Sequence, residues 1–332
     1  MKKQILAASL LAASSTAFAG SHGSNCGTVT IAEMNWATAS LFAYIDKFVL
    51  ENAFGCEVEV VPGDTVPTST SMIEKQQPDI APELWTNSFQ AQLDKAVGEN
   101  KLAVAGEVFI GEEGLWIPKY MLENNPELSS IDGIKANSAL FPHPEDDSVG
   151  AYWGCPAGWG CQMVNQNLFK AYEMEDSGFE LVDPGTAAGL DASLSRAYNM
   201  EKPWFGYYWA PTAFLGQFDM VKVDLKSDID ADYWKSCIVK SDCTDPKPSN
   251  FPESPVYTYT TQEFADRAPE AFAYLDRFFD NPTVNKMAAW MNEEQANGEI
   301  AAEKFFQDYP ELWKSWLTPE QIKKVEKAVA EL

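Results

Sequence analysis

The chain has 332 residues, of which 45% are hydrophobic and 22% are charged, and its formal net charge at pH 7 is −25. Such an acidic chain is not expected to bind nucleic acid or an anionic membrane surface, because both are negatively charged themselves. The length is sufficient for two domains.

The first 19 residues are typical of a cleaved secretory signal peptide. Lys2 and Lys3 form a basic start, an apolar run follows, and small residues end it at Ala17 and Ala19. The run is too short and too rich in Ala and Ser to be a membrane anchor. Cys26 lies several residues past the cleavage site, which argues against a lipid anchor. We therefore expect a mature protein in the periplasm.

The cysteine count also fits an exported protein. The chain has six cysteines: Cys26, Cys56, Cys155, Cys161, Cys237 and Cys243. Many pairings are possible, but local spacing favours Cys155–Cys161 and Cys237–Cys243, which leaves Cys26–Cys56. A metal site is the alternative, yet no Cys-x-x-Cys occurs and the only histidines are His22 and His143. We expect three disulfides, no bound metal and no cofactor.

The N-terminal third predicts a parallel sheet covered by helices. TVTIA is a predicted strand, SLFAYIDKFVLENAF has apolar residues at helical spacing, and EVEVV is a second predicted strand. Strand, helix and strand in this order form a βαβ unit. SMIEKQ then predicts a short helix, DIAPELW a strand that ends at Trp85, and AVAGEVFI with GEEGLWIPKY an extended stretch.

A second series of predicted strands and helices begins beyond residue 120. ANSALF predicts a strand, NQNLFKAYEM and AAGLDASLSRAYNM predict helices, WFGYYWAP predicts an aromatic strand, and 242–257 predicts a proline-rich surface loop. The C-terminal third is predicted to be helical. We expect an α/β fold of two lobes, with residues 20–112 and 212–332 in the first and the inserted second lobe at 113–211. Strands near 110–118 and 204–212 would form the hinge, and the cleft between lobes would favour a ligand.

No enzyme signature occurs in the chain. The G-x-S-x-G, H-E-x-x-H, P-loop and G-x-G-x-x-G motifs are all absent. His143 lies in a predicted loop, and paired cysteines cannot act as nucleophiles. Glu145, Asp146 and Asp147 offer oxygens to a hard cation but lack the spacing of a known calcium loop. We expect that the protein is not an enzyme; the remote alternative is a secreted enzyme that acts on methylated amines.

Four tryptophans stand at predicted strand ends or in loops beside the cleft: Trp85, Trp116, Trp159 and Trp209. Trp36 follows the first strand and is a further candidate. Strand alternation places Tyr207 on the same face as Trp209, so this tyrosine is the better candidate beside it. The other tryptophans of the C-terminal segments fit ordinary core positions.

These motifs resemble those of a known family. PELW, CPAGWGC followed by NQNLFKAYEM, and KPWFGYYWAP occur in the same order as in the glycine-betaine-binding proteins of ATP-driven osmoprotectant importers. The resemblance implies a type II-like periplasmic-binding-protein fold and a box of Trp85, Trp159 and Trp209 around a trimethylammonium group. It also implies that the amides of Gly160 and Cys161 receive the ligand's carboxylate.

The chain departs from this family at one ligand contact. Well-known members have a histidine four residues after the first box tryptophan, where this chain has Phe89. Trp116 also lies close to Glu113, where the family often has uncharged residues. A fourth ring and few cationic contacts suit a smaller ligand with a trimethylated nitrogen and a single oxygen, and we predict trimethylamine N-oxide. Glu113 would contact that oxygen only with a proton on one of the two groups.

The predicted function is therefore that of a periplasmic solute-binding protein. It would act as a monomer that hands a methylated amine to the transmembrane permease subunit of an ABC importer. Glycine betaine, proline betaine and choline are the alternative ligands.

Overall fold

The computed structural model describes residues 26–332, so the predicted signal peptide at 1–19 and His22 lie outside the described residues. Nine strands and fourteen α-helices occur in this range. The strands are β1 (Thr28–Met34), β2 (Glu57–Gly63), β3 (Ile80–Trp85), β4 (Leu102–Pro118), β5 (Gly150–Trp153), β6 (Phe179–Val182), β7 (Gly206–Ala210), β8 (Met220–Lys222) and β9 (Ser254–Thr261). The helices are α1 (Ala37–Val49), α2 (Thr65–Lys75), α3 (Gln90–Gly98), α4 (Ile131–Ala136), α5 (Cys161–Ala171), α6 (Ala187–Asn199), α7 (Ala213–Gln217), α8 (Ala231–Tyr233), α9 (Gln262–Arg267), α10 (Pro269–Tyr274), α11 (Asn281–Glu294), α12 (Gly298–Asp308), α13 (Pro310–Lys314) and α14 (Pro319–Val329).

Two sheets share the long strand β4. The first sheet has the order β2-β1-β3-β9-β4, and the second has the order β4-β7-β5-β6, with β8 also paired to β4. β4 has 17 residues, which is long enough to pair with β9 in its first part and with β7 in its last part. This continuous strand joins the two halves of the molecule.

The predicted βαβ unit is present in the first sheet. β1 and β2 pair in parallel from Thr28 to Met34, and α1 connects them. Helix α1 buries Leu41, Phe42 and Ile45 against the sheet and α12 because these residues share one helix face. The mixed α/β, two-lobed fold expected from the sequence is confirmed.

Two local predictions were wrong. ANSALF is not a strand, since α4 ends at Ala136 and Ser138–Leu140 forms a 3₁₀ turn. The side chain of Ser130 caps α4 by accepting a hydrogen bond from the Gly133 amide, which starts a helix before this segment. The predicted loop 242–257 is also too long, because its last four residues belong to β9, a central strand of the first sheet. The prolines of this segment favoured a loop prediction, although the β-branched and aromatic residues of β9 begin within it.

The lobe boundaries at 112 and 212 remain predictions. β4 runs from one sheet to the other, as expected for a hinge strand near 110–118. β7, the other expected hinge strand, pairs with β4 and β5 within the second sheet. β8 lies after residue 212 and also pairs there. Of the named strands, only β9 brings the chain back to the first sheet.

The three expected disulfides are present: Cys26–Cys56, Cys155–Cys161 and Cys237–Cys243. The first joins the segments that open β1 and β2, and the second closes the loop before α5. Among residues 26–332, no helix is both long and apolar enough to cross a membrane. The same residues contain no cluster of three or more His, Cys, Asp or Glu side chains suited to a metal ion.

Candidate ligand-binding site between the two sheets

An aromatic cavity lies where the ends of β1 and β3 face the 155–161 loop and β7. Its lining residues are Trp36, Thr65, Trp85, Ser88, Glu113, Trp159, Gly160, Cys161, Tyr207 and Trp209. The free volume between these side chains is about 20 Å³, roughly enough for one water molecule, so the lining must move apart to admit a ligand. Wider grooves occur elsewhere: the one beside Thr30 and Pro78 has no tryptophan among its lining residues, and another adjoins this cavity and shares Trp36 and Trp209 with it.

The cavity gathers eight of the nine residues predicted from the sequence to contact a ligand. Trp116 is the exception. It pairs with Gly206 across β4 and β7, and its indole Nε1 donates a hydrogen bond to the Tyr208 carbonyl oxygen at 3.2 Å. Side chains alternate along a strand, so Trp116 and Glu113, three positions apart, point to opposite faces.

Trp159 stands at the centre of the aromatic lining. Its ring centroid lies 5.2 Å from that of Trp36 at an interplanar angle of 71°, and 5.0 Å from that of Trp209 at 82°. Both are edge-to-face contacts, the arrangement that aromatic pairs favour. Trp36 and Trp85 come from the carboxyl ends of β1 and β3, which is where open α/β sheets place ligand contacts. Indoles from both sheets therefore meet in one space.

The loop that carries Trp159 needs glycine at two positions. Gly158 has φ +89, and a Cβ there would lie 2.8 Å from Oδ2 of Asp64 in the opposite lobe. The Gly158 carbonyl oxygen accepts a hydrogen bond from the Val66 amide at 3.0 Å. A Cβ on Gly160 would lie 2.9 Å from the Ser88 Cβ. The glycines thus allow the loop to approach the first lobe closely.

The first turn of α5 borders the same space. Gly160 is the N-cap residue of this helix and Cys161 is its first residue. Amides in a first helical turn lack intrahelical acceptors, so they are available to a ligand oxygen.

Glu113 is a buried acid in the cavity wall, only 5% exposed. Its Oε1 accepts a hydrogen bond from the Tyr207 hydroxyl at 2.8 Å, and its Oε2 accepts one from the Ser254 hydroxyl at 2.6 Å. Burial raises the pKa of the Glu113 carboxyl above its ordinary value, and the two hydroxyl donors and the charge of Lys222 oppose this rise. The group can therefore hold a proton more readily than an exposed glutamate.

Sequence analysis missed four residues at or beside the cavity. Thr65 and Ser88 line it, Asn35 accepts a hydrogen bond from the Trp159 indole, and Glu83 lies behind the rings of Trp36 and Trp85. A signal for Glu83 existed, because it stands two positions before Trp85 in an otherwise apolar strand. Residues two apart share a strand face.

Phe89, at the position of the family's histidine, is the N-cap residue of α3 and packs against the hydrophobic core. It is not among the lining residues, whereas its neighbour Ser88 is. No lysine, arginine or histidine of the described chain lines this cavity.

The fold and the cavity together define a two-lobed solute-binding protein. Residues 27–308 match the family described as the substrate binding domain of the ABC-type glycine betaine transport system. The chain belongs to this family. It is a family of transport components, in agreement with the expectation that the protein is not an enzyme.

Individual relatives are more distant. The chain is 25% identical over 165 residues to the glycine betaine/carnitine transport binding protein GbuC of Listeria monocytogenes, a match that covers 49% of this chain and 47% of GbuC. The chain thus spans about half the length of that relative.

Similar solved structures span nearly the whole chain. An ABC-transporter choline binding protein in complex with choline has a TM-score of 0.71 at 17% identity, covering 92% of this chain and 98% of that one. The glycine betaine/L-proline-binding protein ProX of Borrelia burgdorferi has a TM-score of 0.69 at 17% identity, covering 90% and 99%. Lactococcal OpuAC in its closed form with glycine betaine has a TM-score of 0.66 at 16% identity, covering 88% and 100%. At these identities the likeness establishes the fold.

Proposed function

We propose that this protein is a periplasmic, monomeric binding protein that captures a small trimethylated amine in the tryptophan-lined cavity and delivers it to the permease of an ABC importer. Trimethylamine N-oxide is the preferred ligand. The observation that carries the proposal is the convergence of four indoles from both lobes on one space that also contains the buried acid Glu113. Closure of the lobes around the ligand would create the shape that the permease recognises.

The aromatic lining suits a quaternary nitrogen. A trimethylated nitrogen has no N–H to donate, so it gains little from hydrogen-bond acceptors and much from the faces of indole rings. Each desolvated ring contributes about 2 kcal/mol of cation–π energy. Three or four rings then supply roughly 6–8 kcal/mol, close to the ~8.2 kcal/mol of a micromolar dissociation constant.

The polar groups of the cavity favour an N-oxide over a betaine. A betaine carboxylate would face the buried Glu113 without a basic side chain among the described lining residues. Glu113 in its protonated form donates a hydrogen bond to a single oxygen, and its raised pKa increases the population of that form. The amides of Gly160 and Cys161 provide further donors.

Choline is the second candidate. Glu113 in its ionised form would accept a hydrogen bond from the choline hydroxyl, and the same lining without basic residues would tolerate the net positive charge. Glycine betaine would have only uncharged donors for its carboxylate, such as the α5 amides and the hydroxyls of Thr65 and Ser88.

Isothermal titration of the purified mature protein with trimethylamine N-oxide, choline and glycine betaine tests the proposal. We expect the tightest binding for the N-oxide, and a loss of about 30-fold in Trp159→Ala and in Trp209→Ala, which corresponds to about 2 kcal/mol per ring. Trp290→Ala is the control, because Trp290 lies on α11 in contact with Lys304 and outside the cavity lining. Tight betaine binding without N-oxide binding would disprove the preference, and no binding of any methylated amine would disprove the function.

A further inference from the structure

We propose that Glu83, which does not line the cavity, is the buried counter-charge of the ligand's ammonium group and acts through the indoles of Trp36 and Trp85. The inference rests on the proposed function, since it assumes that a methylated ammonium group occupies the cavity. It makes Glu83 a positioning residue that selects ligands by charge rather than by shape.

Glu83 holds two cavity tryptophans with one carboxylate oxygen. Its Oε1 accepts hydrogen bonds from the Nε1 of Trp36 at 2.7 Å and from the Nε1 of Trp85 at 2.9 Å. The hydroxyl of Thr38 donates a third hydrogen bond to the same oxygen at 3.1 Å. The indole at the start of α1 and the indole at the end of β3 therefore share one acceptor, which fixes the orientation of the two rings relative to each other.

The second oxygen of Glu83 has no partner in the described part of the chain. The side chain is fully buried, and Oε2 is among the buried polar atoms without a hydrogen-bond partner. Burial raises the pKa of Glu83 to about 7, and the three donors oppose this rise. A buried carboxylate with one satisfied oxygen is costly to ionise, so a cation on the other side of the rings would stabilise its charged form.

The negative charge strengthens the ring faces as well. Each indole N–H that donates to a carboxylate polarises its ring, because hydrogen bonds in a low-dielectric interior reinforce one another. A trimethylammonium group over a ring face then meets a more electron-rich ring, and it is also attracted by the carboxylate at the ring edge.

The other acids near the cavity already have close partners. Glu113 accepts hydrogen bonds from Tyr207 and Ser254, and the positive charge of Lys222 lowers its pKa. Asp64 accepts hydrogen bonds from Asn35 and from the Thr65 amide. Burial and three uncharged hydrogen-bond donors, rather than a charged neighbour in the described chain, account for the shift in the pKa of Glu83. A bound cation would therefore be its counter-ion.

The test compares ligands of equal shape and different charge in Glu83→Gln. Glutamine keeps a carbonyl oxygen for the two indoles and removes only the charge. The ligand pairs are choline with 3,3-dimethylbutan-1-ol, and trimethylamine N-oxide with tert-butanol, in which carbon replaces nitrogen. We expect choline to lose about tenfold in affinity, the net-neutral N-oxide to lose less, and both alcohols to stay within about twofold.

Thr38→Val is the matched control, since it removes the third donor and leaves the charge in place. We expect its affinities for choline and for 3,3-dimethylbutan-1-ol to change by the same small factor. A pH series in a Glu113→Gln background gives a second measure, because the other buried carboxyl of the cavity is then absent. Choline affinity should rise between about pH 5.5 and about pH 8 with Glu83 present. The rise should be smaller in the double variant, where Asp191 of the adjoining groove, with a pKa raised to about 6, still titrates.

Equal losses for choline and its uncharged analogue in Glu83→Gln would overturn the inference, because Glu83 would then only hold the rings. A flat pH profile in Glu113→Gln would do the same. Both results leave the proposed function intact. Absence of choline and N-oxide binding in the wild-type protein would instead overturn the proposed function and this inference with it.

Discussion

The indole Nε1 of Trp159 donates a hydrogen bond to Oδ1 of Asn35 at 2.8 Å, which links the 155–161 loop of the second lobe to the segment after β1 in the first lobe. The side-chain Nδ2 of Asn35 in turn donates a hydrogen bond to Oδ2 of Asp64 at 3.1 Å. The central ring of the cavity is thus held from the opposite lobe. Any opening of the lobes would have to break this bond.

Asn35→Ala removes the acceptor for the Trp159 indole. We expect ligand affinity to fall about fivefold, because one hydrogen bond contributes about 1 kcal/mol net. The free energy of unfolding should change little, since Asn35 is exposed. Titration calorimetry together with thermal unfolding measures both quantities. An unchanged affinity would show that the bond does not hold the binding-competent form.

The close approach of Gly158 to Asp64 gives a second prediction. Gly158→Ala adds a Cβ that would lie 2.8 Å from the Asp64 carboxylate, at φ +89. We expect weaker ligand binding and a larger radius of gyration with ligand present, because the loop can no longer close fully.

Gly185→Ala is the matched control for the Gly158 variant. Gly185 also has a positive φ, +76, but a Cβ there would meet nothing within 4 Å. Both variants have a strained backbone, at a cost of about 1 kcal/mol. Only Gly158→Ala should weaken binding, and equal binding losses in the two variants would contradict the steric explanation.

The two short disulfides allow a similar comparison. Cys155–Cys161 and Cys237–Cys243 each join residues six apart, but only the first borders the cavity. Replacing either pair by serine should lower the free energy of unfolding by about 2 kcal/mol. Only the Cys155/Cys161 pair should also weaken ligand binding, since its loop then loses order before binding. Calorimetry and denaturant titration separate the two effects, and equal affinity in both variants would exclude preorganisation by this disulfide.

Glu113→Gln distinguishes the candidate ligands. The N–H group of glutamine can donate to the N-oxide oxygen in place of the protonated Glu113 carboxyl. The N-oxide should therefore retain its affinity within about threefold. Choline should lose about tenfold, because the amide removes the charge that would face its hydroxyl and its cation. Titration of both ligands against the variant measures this difference, and the reverse order would contradict the roles proposed for Glu113 toward the two ligands.

Much of this fold follows from local patterns in the sequence. The βαβ unit around α1 was predictable because helical and strand periodicities stand side by side. Two of the disulfides were predictable because their cysteines are close in sequence, which left Cys26–Cys56 as the third. Strand β9 was not, since its prolines precede the β-branched run and its pairing with β3 and β4 depends on residues far away in the chain. Long-range pairing of this kind leaves no local signal.

The candidate site was predictable in part for the same reason. Trp85, Trp159 and Trp209 stand in motifs with a family resemblance, and strand alternation predicted Tyr207. Trp116 was included for its place in the sequence, yet alternation along β4 places it on the face opposite Glu113. Glu83 was overlooked although it shares a strand face with Trp85, because only the structure shows that its carboxylate is buried and accepts hydrogen bonds from two indoles.

The buried charge of Glu83 should also influence stability without ligand. Its pKa is raised from an ordinary value of 4.5 to about 7, so the folded protein binds more protons than the unfolded chain between these values. The contribution of Glu83 to stability is therefore fully present below about pH 4.5 and is lost as pH rises through about 7. Asp46 and Asp191, whose pKa values burial raises to about 6, add to the same trend.

Comparison of the wild type with Glu83→Gln isolates this contribution, because the other acids are the same in both proteins. Between about pH 5 and about pH 8 the variant should gain about 2 kcal/mol in free energy of unfolding relative to the wild type. Urea denaturation at several pH values without ligand measures the difference. A binding protein that keeps such a destabilising acid beneath its aromatic cavity is expected to use the charge, so saturating choline should remove most of the difference at pH 8. A pH-independent difference between the two proteins would mean that Glu83 does not change protonation on folding.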